Sequence, residues 1–464
     1  MDRSEQMRNQ NIGTLLWNFS LPAIVGMMVN SLYNIVDRIF LGRGVGSIAI
    51  AATTVAFPVM IILMAVSVLI GIGATALISI RLGEQKIEEA EKTAGNAMAM
   101  LILLPVIFTL IFLTFTDPIL TAFGASETVF PYARDFLRII MLGSAFGSIS
   151  MGMNNFIRAE GNPRRAMSTQ ILGAVINVIL NYIFIFKMGW GIKSSALATV
   201  IAQFISAVWV LSYFFTGRSL VKIRLKNLVP EFSTLLKIMT IGFAPFAMHI
   251  TNSIQQLILN KTLMAYGGDI ALSAVGIMMS IATLLFMPIL GLGQGAQPII
   301  GYNYGARQYD RVKETLRVAV IAATCIALVG YLVLRLWPIQ IIGLFSRNDM
   351  ELIELTSHAM GIYLALLPII GFQIICSGYF QAVGKALQST ILGLSRQVLI
   401  FIPLLLILPR FWGIEGVWRT APIADALSIT LTATLIHLEM KKLGKEPADP
   451  ELEGAVELSA TCQR

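Results

Sequence analysis

Charged residues are scarce. Asp, Glu, Lys and Arg make up only 13% of the 464 residues, against 56% hydrophobic, where a water-soluble domain carries about 25% charged. A chain this poor in charge cannot clothe a globular surface, which argues against a soluble enzyme or binding module. Cysteine is nearly lacking: Cys325, Cys376 and Cys462 are scattered and form no CxxC pair, so a disulfide framework is excluded. The three histidines (His249, His358, His437) stand at no metal-ligand spacing, and packing or surface roles account for them. There is no Walker sequence, HExxH or GxSxG, and no carboxylate pair suited to acid–base work. ATP hydrolysis, a resident metal, a cofactor and enzymatic chemistry are therefore not expected. The glycine runs 71–73 (GIG) and 291–295 (GLGQG) lie in apolar stretches, where close helix packing or a bend explains them better than phosphate binding.

Long apolar runs fill the chain instead. About 20 such residues cross a bilayer core about 30 Å thick, and roughly twelve spans can be placed, the first near 14–40 and the last near 413–440. The fold class expected is all-α and integral to a membrane. The polar start (MDRSEQMRNQN) and the length of the first apolar run do not fit a cleavable signal, so that run is read as helix 1. Basic residues alternate by loop. One side holds Arg3 and Arg8, then Arg81, Lys86 and Lys92, then Arg158, Arg164 and Arg165. It also holds the 217–233 segment with Arg218, Lys222, Arg224 and Lys226, the loop with Arg307, Arg311 and Lys313, and the tail with Lys441, Lys442 and Lys445. Loop 116–130 on the other side has none. Both termini are thus expected in the cytoplasm, and the net charge of +8 reflects topology, with no sign of a nucleic-acid surface.

The chain repeats itself at an offset of about 222 residues: Asn30-Ser31 with Asn252-Ser253, Gly73-Ala74 with Gly295-Ala296, Gly83 with Gly305, and Trp190-Gly191-Ile192 with Trp412-Gly413-Ile414. Four landmarks at one offset indicate duplicated halves. The expected organisation is a first six-helix bundle (12–216), a cytoplasmic linker (217–233), a second six-helix bundle (234–440) and a cytoplasmic tail (441–464). Six helices per half make the repeats parallel, as in transporters whose central site lies between two bundles.

Asp37 stands out within helix 1. A carboxylate at membrane depth faces a protein interior or a water-filled cavity and serves a function there, unless it reaches water or pairs with adjacent Arg38. Asn30, Tyr33 and Asn34 lie one and two turns before it. Asn154 and Asn155 lie in the fourth span, Asn177 and Asn181 four apart in the fifth, Thr199 and Gln203 four apart in the sixth. One carboxylate among amides and hydroxyls binds a proton or small cation; the same groups also serve as hydrogen-bond glue between helices, and spacing supports both readings equally. Position 259, which aligns with Asp37, is leucine. In the second half Arg396 and Asp425 are the ionisable residues inside spans. They suggest a structural ion pair, with Arg419 as a competing partner. The 22 methionines suit either a promiscuous apolar pocket or ordinary filling.

Three separated stretches, YNIVDRIFLGR, EGNPRRAM and GQGAQPIIGYNYGA, together with the duplication, resemble the multidrug and toxic compound extrusion (MATE) family in its bacterial and archaeal DinF-like branch. The resemblance covers residues 12 to 440. It implies twelve helices in two pseudo-symmetric bundles, and a monomeric antiporter in the bacterial plasma or inner membrane. Such a protein exports amphipathic, often cationic, drugs or metabolites against inward protons or sodium. It implies ion coupling through Asp37, with Asn177, Asn181 and Thr199 completing the ion network, and a drug-lining role near Asn30, Tyr33 and Asn154, to which neighbouring Asn34 is added. The family pattern usually has Asp where this chain has Asn181. One formal charge is then missing, which weakens a cation trap and favours proton over sodium. The rival readings are a dedicated exporter of one metabolite and a lipid-linked oligosaccharide flippase. The second would require cations at mid-membrane in the first half, which the sequence lacks there.

Overall fold

A computed structural model describes residues 3–123, 126–217, 219–345 and 350–444; Arg218 and the tail from 445 onward, Lys445 included, lie outside them. The first half runs through α1 (Arg3–Asn9), α2 (Ile12–Gly44), α3 (Ser47–Gly83), α4 (Ile87–Thr114), α5 (Thr116–Ala122), α6 (Phe130–Ala159), α7 (Pro163–Asn181) and α8 (Ile192–Phe215). The second runs through α9 (Phe232–Gly305), α10 (Tyr309–Leu336), α11 (Pro338–Gly343), α12 (Met350–Tyr363), α13 (Leu367–Ala382), α14 (Ala386–Leu394), α15 (Ile402–Trp412) and α16 (Ile414–Lys442). No strand occurs among the described residues. Backbone pairing in the described spans therefore stays within helices, as a hydrocarbon environment demands.

Ten of these helical runs are long and apolar enough to cross a membrane, and the pair α12 and α13, bent by 51°, forms one more. As one straight rod, α9 with its 74 residues would be about 110 Å long, more than three hydrocarbon thicknesses. It breaks at Gly268, where φ is 62°, a left-handed conformation that glycine adopts without a Cβ penalty. Its two ends return to one region of α3. A Cβ on Gly73 would meet the Ile238 carbonyl, and one on Gly83 would meet the Tyr302 carbonyl. Counting α9 twice gives the twelve crossings expected from composition. Gly268 lies 222 residues after Gly46, which has φ 106° at the corresponding turn between α2 and α3.

The halves meet at the end that carries the chain's start. A Cβ on Gly83 would sit 2.0 Å from the Tyr302 carbonyl oxygen, and one on Gly305 2.1 Å from that of Ile80. Both partners in each contact are offset by 222, so the two contacts are related by the internal two-fold. Gly73 against Gly242 and Gly295 against Ser20 form a second related pair. Only glycine lets the backbones of α3 and α9 approach this closely, the small-residue packing that membrane helices use where no hydrophobic drive exists between them. The seam on α2 comprises Ser20 and Ile24. Asp37 lies about 20 Å further along that helix, beyond the seam.

The segment between the halves is strapped down. Ser219 Oγ and the amides of Leu220 and Val221 donate to buried Glu160, to which Tyr213 also donates at 2.8 Å. Arg224 pairs with Glu91 at 2.8 Å. Asn96 donates to the Asn227 carbonyl and accepts from the Glu231 amide. Residues 219–231 thus form a strap fixed to the first half.

Candidate functional site

Asp37 sits on α2 opposite the end of α7 and the start of α8. Asn181 Nδ2 donates to Asp37 Oδ1 at 2.7 Å and Ser195 Oγ donates to the same oxygen at 3.1 Å. Asn181 Nδ2 also reaches Asn177 Oδ1 at 2.9 Å, and Asn177 Nδ2 donates to Thr199 Oγ1 at 3.1 Å. The four residues implied in ion coupling thus form one continuous chain of hydrogen bonds, in which Thr199 acts through Asn177 rather than touching Asp37. Ser195 completes it and was missed by sequence reasoning. It stands four residues before Thr199 and thus on the same helical face, a signal that was available.

Local structure explains the convergence. Four-residue spacing puts Asn177 and Asn181 on one face of α7, and directly after Asn181 the helix widens into a π-helical turn, Tyr182–Lys187. Such turns are enriched at functional sites because they re-aim side chains. Asn177 and Asn181 are almost wholly buried, whereas Asp37 is only half-buried. Among the described residues no Lys or Arg lies within ion-pair distance of Asp37, Arg38 included. Its Oδ2 has no protein hydrogen bond among them, and Asn181 Oδ1 is buried without a partner. A lone carboxylate, a spare oxygen on it and an orphaned amide oxygen beside it form a set of hard acceptors. Such a set suits a proton or a small alkali cation, the oxygen-ligand chemistry of hard ions. No group of three or more His, Cys, Asp or Glu gathers among the described residues.

The residues proposed to line a drug path are arranged differently. Asn34 donates to the Asn30 carbonyl at 2.7 Å and to Asn30 Oδ1 at 3.0 Å, and both side chains are exposed. Tyr33 is half-buried one turn before Asp37. Asn154 is buried, with its Oδ1 unpartnered. Gln203 turns toward Gly147 and stays out of the network.

In the second half Arg396 Nε donates to Asp425 Oδ1 at 2.5 Å. Arg419 instead reaches Glu415 at 4.0 Å and stacks over Trp412, so Arg396 holds Asp425. One further charge lies on the seam. Buried Arg158 donates to Gln294 of the other half. With the Gln170 amide oriented to satisfy its neighbours, Arg158 also donates to Gln170 at 3.2 Å, and Gln170 donates to the Gly26 carbonyl at 2.9 Å.

The MatE family model matches the chain twice, over residues 22–183 and 244–407. The multidrug export protein MepA of Staphylococcus aureus strain N315 is 27% identical over 428 residues, covering 92% of this chain and 94% of that protein. MepA of Staphylococcus haemolyticus is 27% identical over 433 residues, covering 93% and 95%. Among solved structures, a complex of the MATE multidrug transporter DinF-BH is 38% identical with a TM-score of 0.85, covering 91% of this chain and 95% of that one. An outward-facing multidrug resistance MATE transporter has a TM-score of 0.90 at 24% identity, covering 96% and 99%; at that identity the likeness speaks for the fold alone.

Proposed function

This chain belongs to the MatE family of membrane transporters, and on that premise we propose that it is a monomeric drug exporter driven by an ion that binds at Asp37. It is a multi-pass transporter, not an enzyme. We read its cargo as amphipathic or cationic compounds, its coupling ion as the proton, and its seam as the cytoplasmic end. The 12–216 and 234–440 halves are read as the moving bodies. Residues 217–233 are read as a linker that travels with the first half, and 441–464 as a cytoplasmic tail.

The observation that carries this reading is the Asp37 carboxylate, held by two donors on one oxygen, with no cation within ion-pair distance of it among the described residues. Charge-assisted hydrogen bonds are about twice as strong as neutral ones. Protonating Asp37 therefore loosens its hold on Asn181 and Ser195, and with it the docking of α2 on α7 and α8. The two protonation states thus favour different packings of the first half, and only such a difference lets an ion gradient drive a cycle. Asn30, Tyr33, Asn34 and Asn154 are read as the polar contacts of the cargo path.

The test is uptake of a fluorescent organic cation into proteoliposomes under an imposed proton gradient or an imposed sodium gradient. Transport on the proton gradient alone is expected; transport that requires sodium overturns the proton assignment. Asn181→Asp restores a second carboxylate in contact with Asp37, and the added charge strengthens attraction for a cation in low dielectric. The expected outcome is sodium-stimulated transport and a sodium-dependent rise in thermal stability, neither of which is expected of the parent.

A further inference from the structure

The first helix of the chain is fastened to the second half. Arg311 of α10 donates through Nη2 to the Met7 carbonyl at 3.2 Å and to the Gln10 carbonyl at 2.7 Å. Asn303 Nδ2 of α9 reaches the same Met7 carbonyl at 3.3 Å. These carbonyls close the end of α1, where a basic side chain is favourable. Met7 is 1% exposed and Asn303 is wholly buried, two residues before Gly305 on the seam. A cavity of about 250 Å³, lined by Gln6, Gln10, Asn18, Phe19, Asn162 and Arg164, lies between α1 and the turn that joins α6 to α7. Among the described residues α1 makes no hydrogen bond to the first half outside its own link to α2. The 219–231 strap shows the reverse arrangement. It leads into the second half and is held by Glu160, Glu91 and Asn96 of the first. Each half is thus entered by a segment that is fastened to the opposite half.

The link between α1 and α2 has little slack. It consists of Gln10 and Asn11, and both are already bonded. The Gln10 amide donates to the Gln6 carbonyl at 3.0 Å, and Asn11 Oδ1 caps α2 by accepting from the Gly13 amide at 2.9 Å. Drawn out fully, the link reaches about 11 Å from Asn9 to Ile12. With α2 in one half and α1 bonded to the other, separating the halves at this end loads the link at once. We propose that α1 is a clasp across the seam, closed by Arg311 and Asn303, and that the seam opens only when α1 leaves them. The socket keeps its shape without α1. Arg311 Nε donates to Asn303 Oδ1 at 3.1 Å, and Asn303 Nδ2 donates to the Ile299 carbonyl at 2.8 Å, both within the second half. A released α1 therefore returns to a preformed socket, as a reversible clasp requires. Arg311 and Asn303 are positioning residues in this scheme, and their bonds favour the closed seam. The inference rests on the reading of the two halves as moving bodies.

Spin-label distances in full-length protein in lipid nanodiscs test it. The pair 5 and 387 reads α1 against the second half, and the pair 88 and 387 reads across the seam; all three positions are exposed. Short distances should dominate both pairs in the parent. Arg311→Gln removes the hold on both carbonyls and should lengthen both pairs. The ratio of open to closed seam should rise about tenfold or more, as expected for losing one hydrogen bond to a charged group. Four glycines inserted between Gln10 and Asn11 supply slack and leave every bond of α1 in place. The seam pair should then lengthen while the 5 to 387 distance stays short, a result that a merely stabilising contact would not give. Deleting residues 2–9 leaves Arg311 and Asn303 untouched and should match Arg311→Gln across the seam, which keeps the test intact if that substitution disturbs α10. An α1 that detaches in Arg311→Gln with the seam ratio unchanged overturns the proposal. So does an inserted or shortened variant whose seam ratio equals the parent's, and so does a parent in which the seam pair lengthens with α1 still docked. A pair at the far end, 48 and 269, separates the premise from the proposal. If the seam lengthens in these variants and the far end does not change, the halves flex rather than move as bodies, and the clasp stands.

Discussion

Asp37→Asn should abolish ion-driven export while leaving the protein folded. The replacement has the same shape, and its amide oxygen can still accept from Asn181 and Ser195, which now stand at 2.7 and 3.1 Å from Oδ1. What is lost is the charge and the ability to gain and lose a proton. Hydrogen bonds to a charged group contribute about 1.5–3 kcal/mol each. A gradient acts on the cycle only through the difference between the two protonation states. Removing that difference for even one of these bonds alters a two-state ratio by about tenfold or more. The expected result in proteoliposomes is a fall in gradient-driven uptake of more than about tenfold, with the thermal midpoint within a few degrees of the parent. A variant that transports as the parent does under both gradients would move the coupling site away from Asp37.

Gly305→Val should block closure of the seam. The new Cβ would lie 2.1 Å from the Ile80 carbonyl oxygen, and the same substitution at Gly83 would put one 2.0 Å from that of Tyr302. These are backbone atoms of packed helices, so no side chain can swing aside. Relief needs α3 and α9 to separate by more than 1 Å or so, and overpacking of this kind costs about 1–3 kcal/mol or more. Spin labels at exposed positions 88 and 310 should report a longer and broader distance distribution, with transport down by about an order of magnitude. Gly276→Val is the control, since a Cβ there meets nothing within 4 Å. An unchanged distance in Gly305→Val would show that the seam tolerates the added atoms.

Much of the candidate site could be read from the sequence because its groups are polar in a region where polar groups are costly. Asp37, Asn177, Asn181 and Thr199 stood out against leucine and isoleucine, and four-residue spacing gave the face of Asn177 and Asn181 on α7, whereas on α8 it paired Thr199 with Gln203, which stays out of the network. Ser195 was overlooked because serine is common in membrane helices and carries little signal alone. Arg158 and Glu160 were counted as loop charge in one case and not singled out in the other. Both prove to be buried, one across the seam to Gln294 and one holding residues 219–221. The sequence favours Arg396 over Arg419 as the partner of Asp425, and Arg396 is the one that donates to Asp425 Oδ1, at 2.5 Å.

By itself the sequence determined the membrane setting, the number of crossings, the repeat at 222 residues and the identity of the one carboxylate in the first spans. These follow from composition and order along the chain, and the cost of putting charge in hydrocarbon makes them legible one residue at a time. The tertiary structure alone decided which faces meet. Lipid is as apolar as a protein core, so in a membrane helix the apolar pattern does not distinguish the buried side from the side facing lipid. Contacts between residues as far apart as Asp37 and Ser195, or Gly83 and Tyr302, arise from helix crossings. They are fixed by backbone approach at glycines and by hydrogen bonds that close only when the helices are assembled.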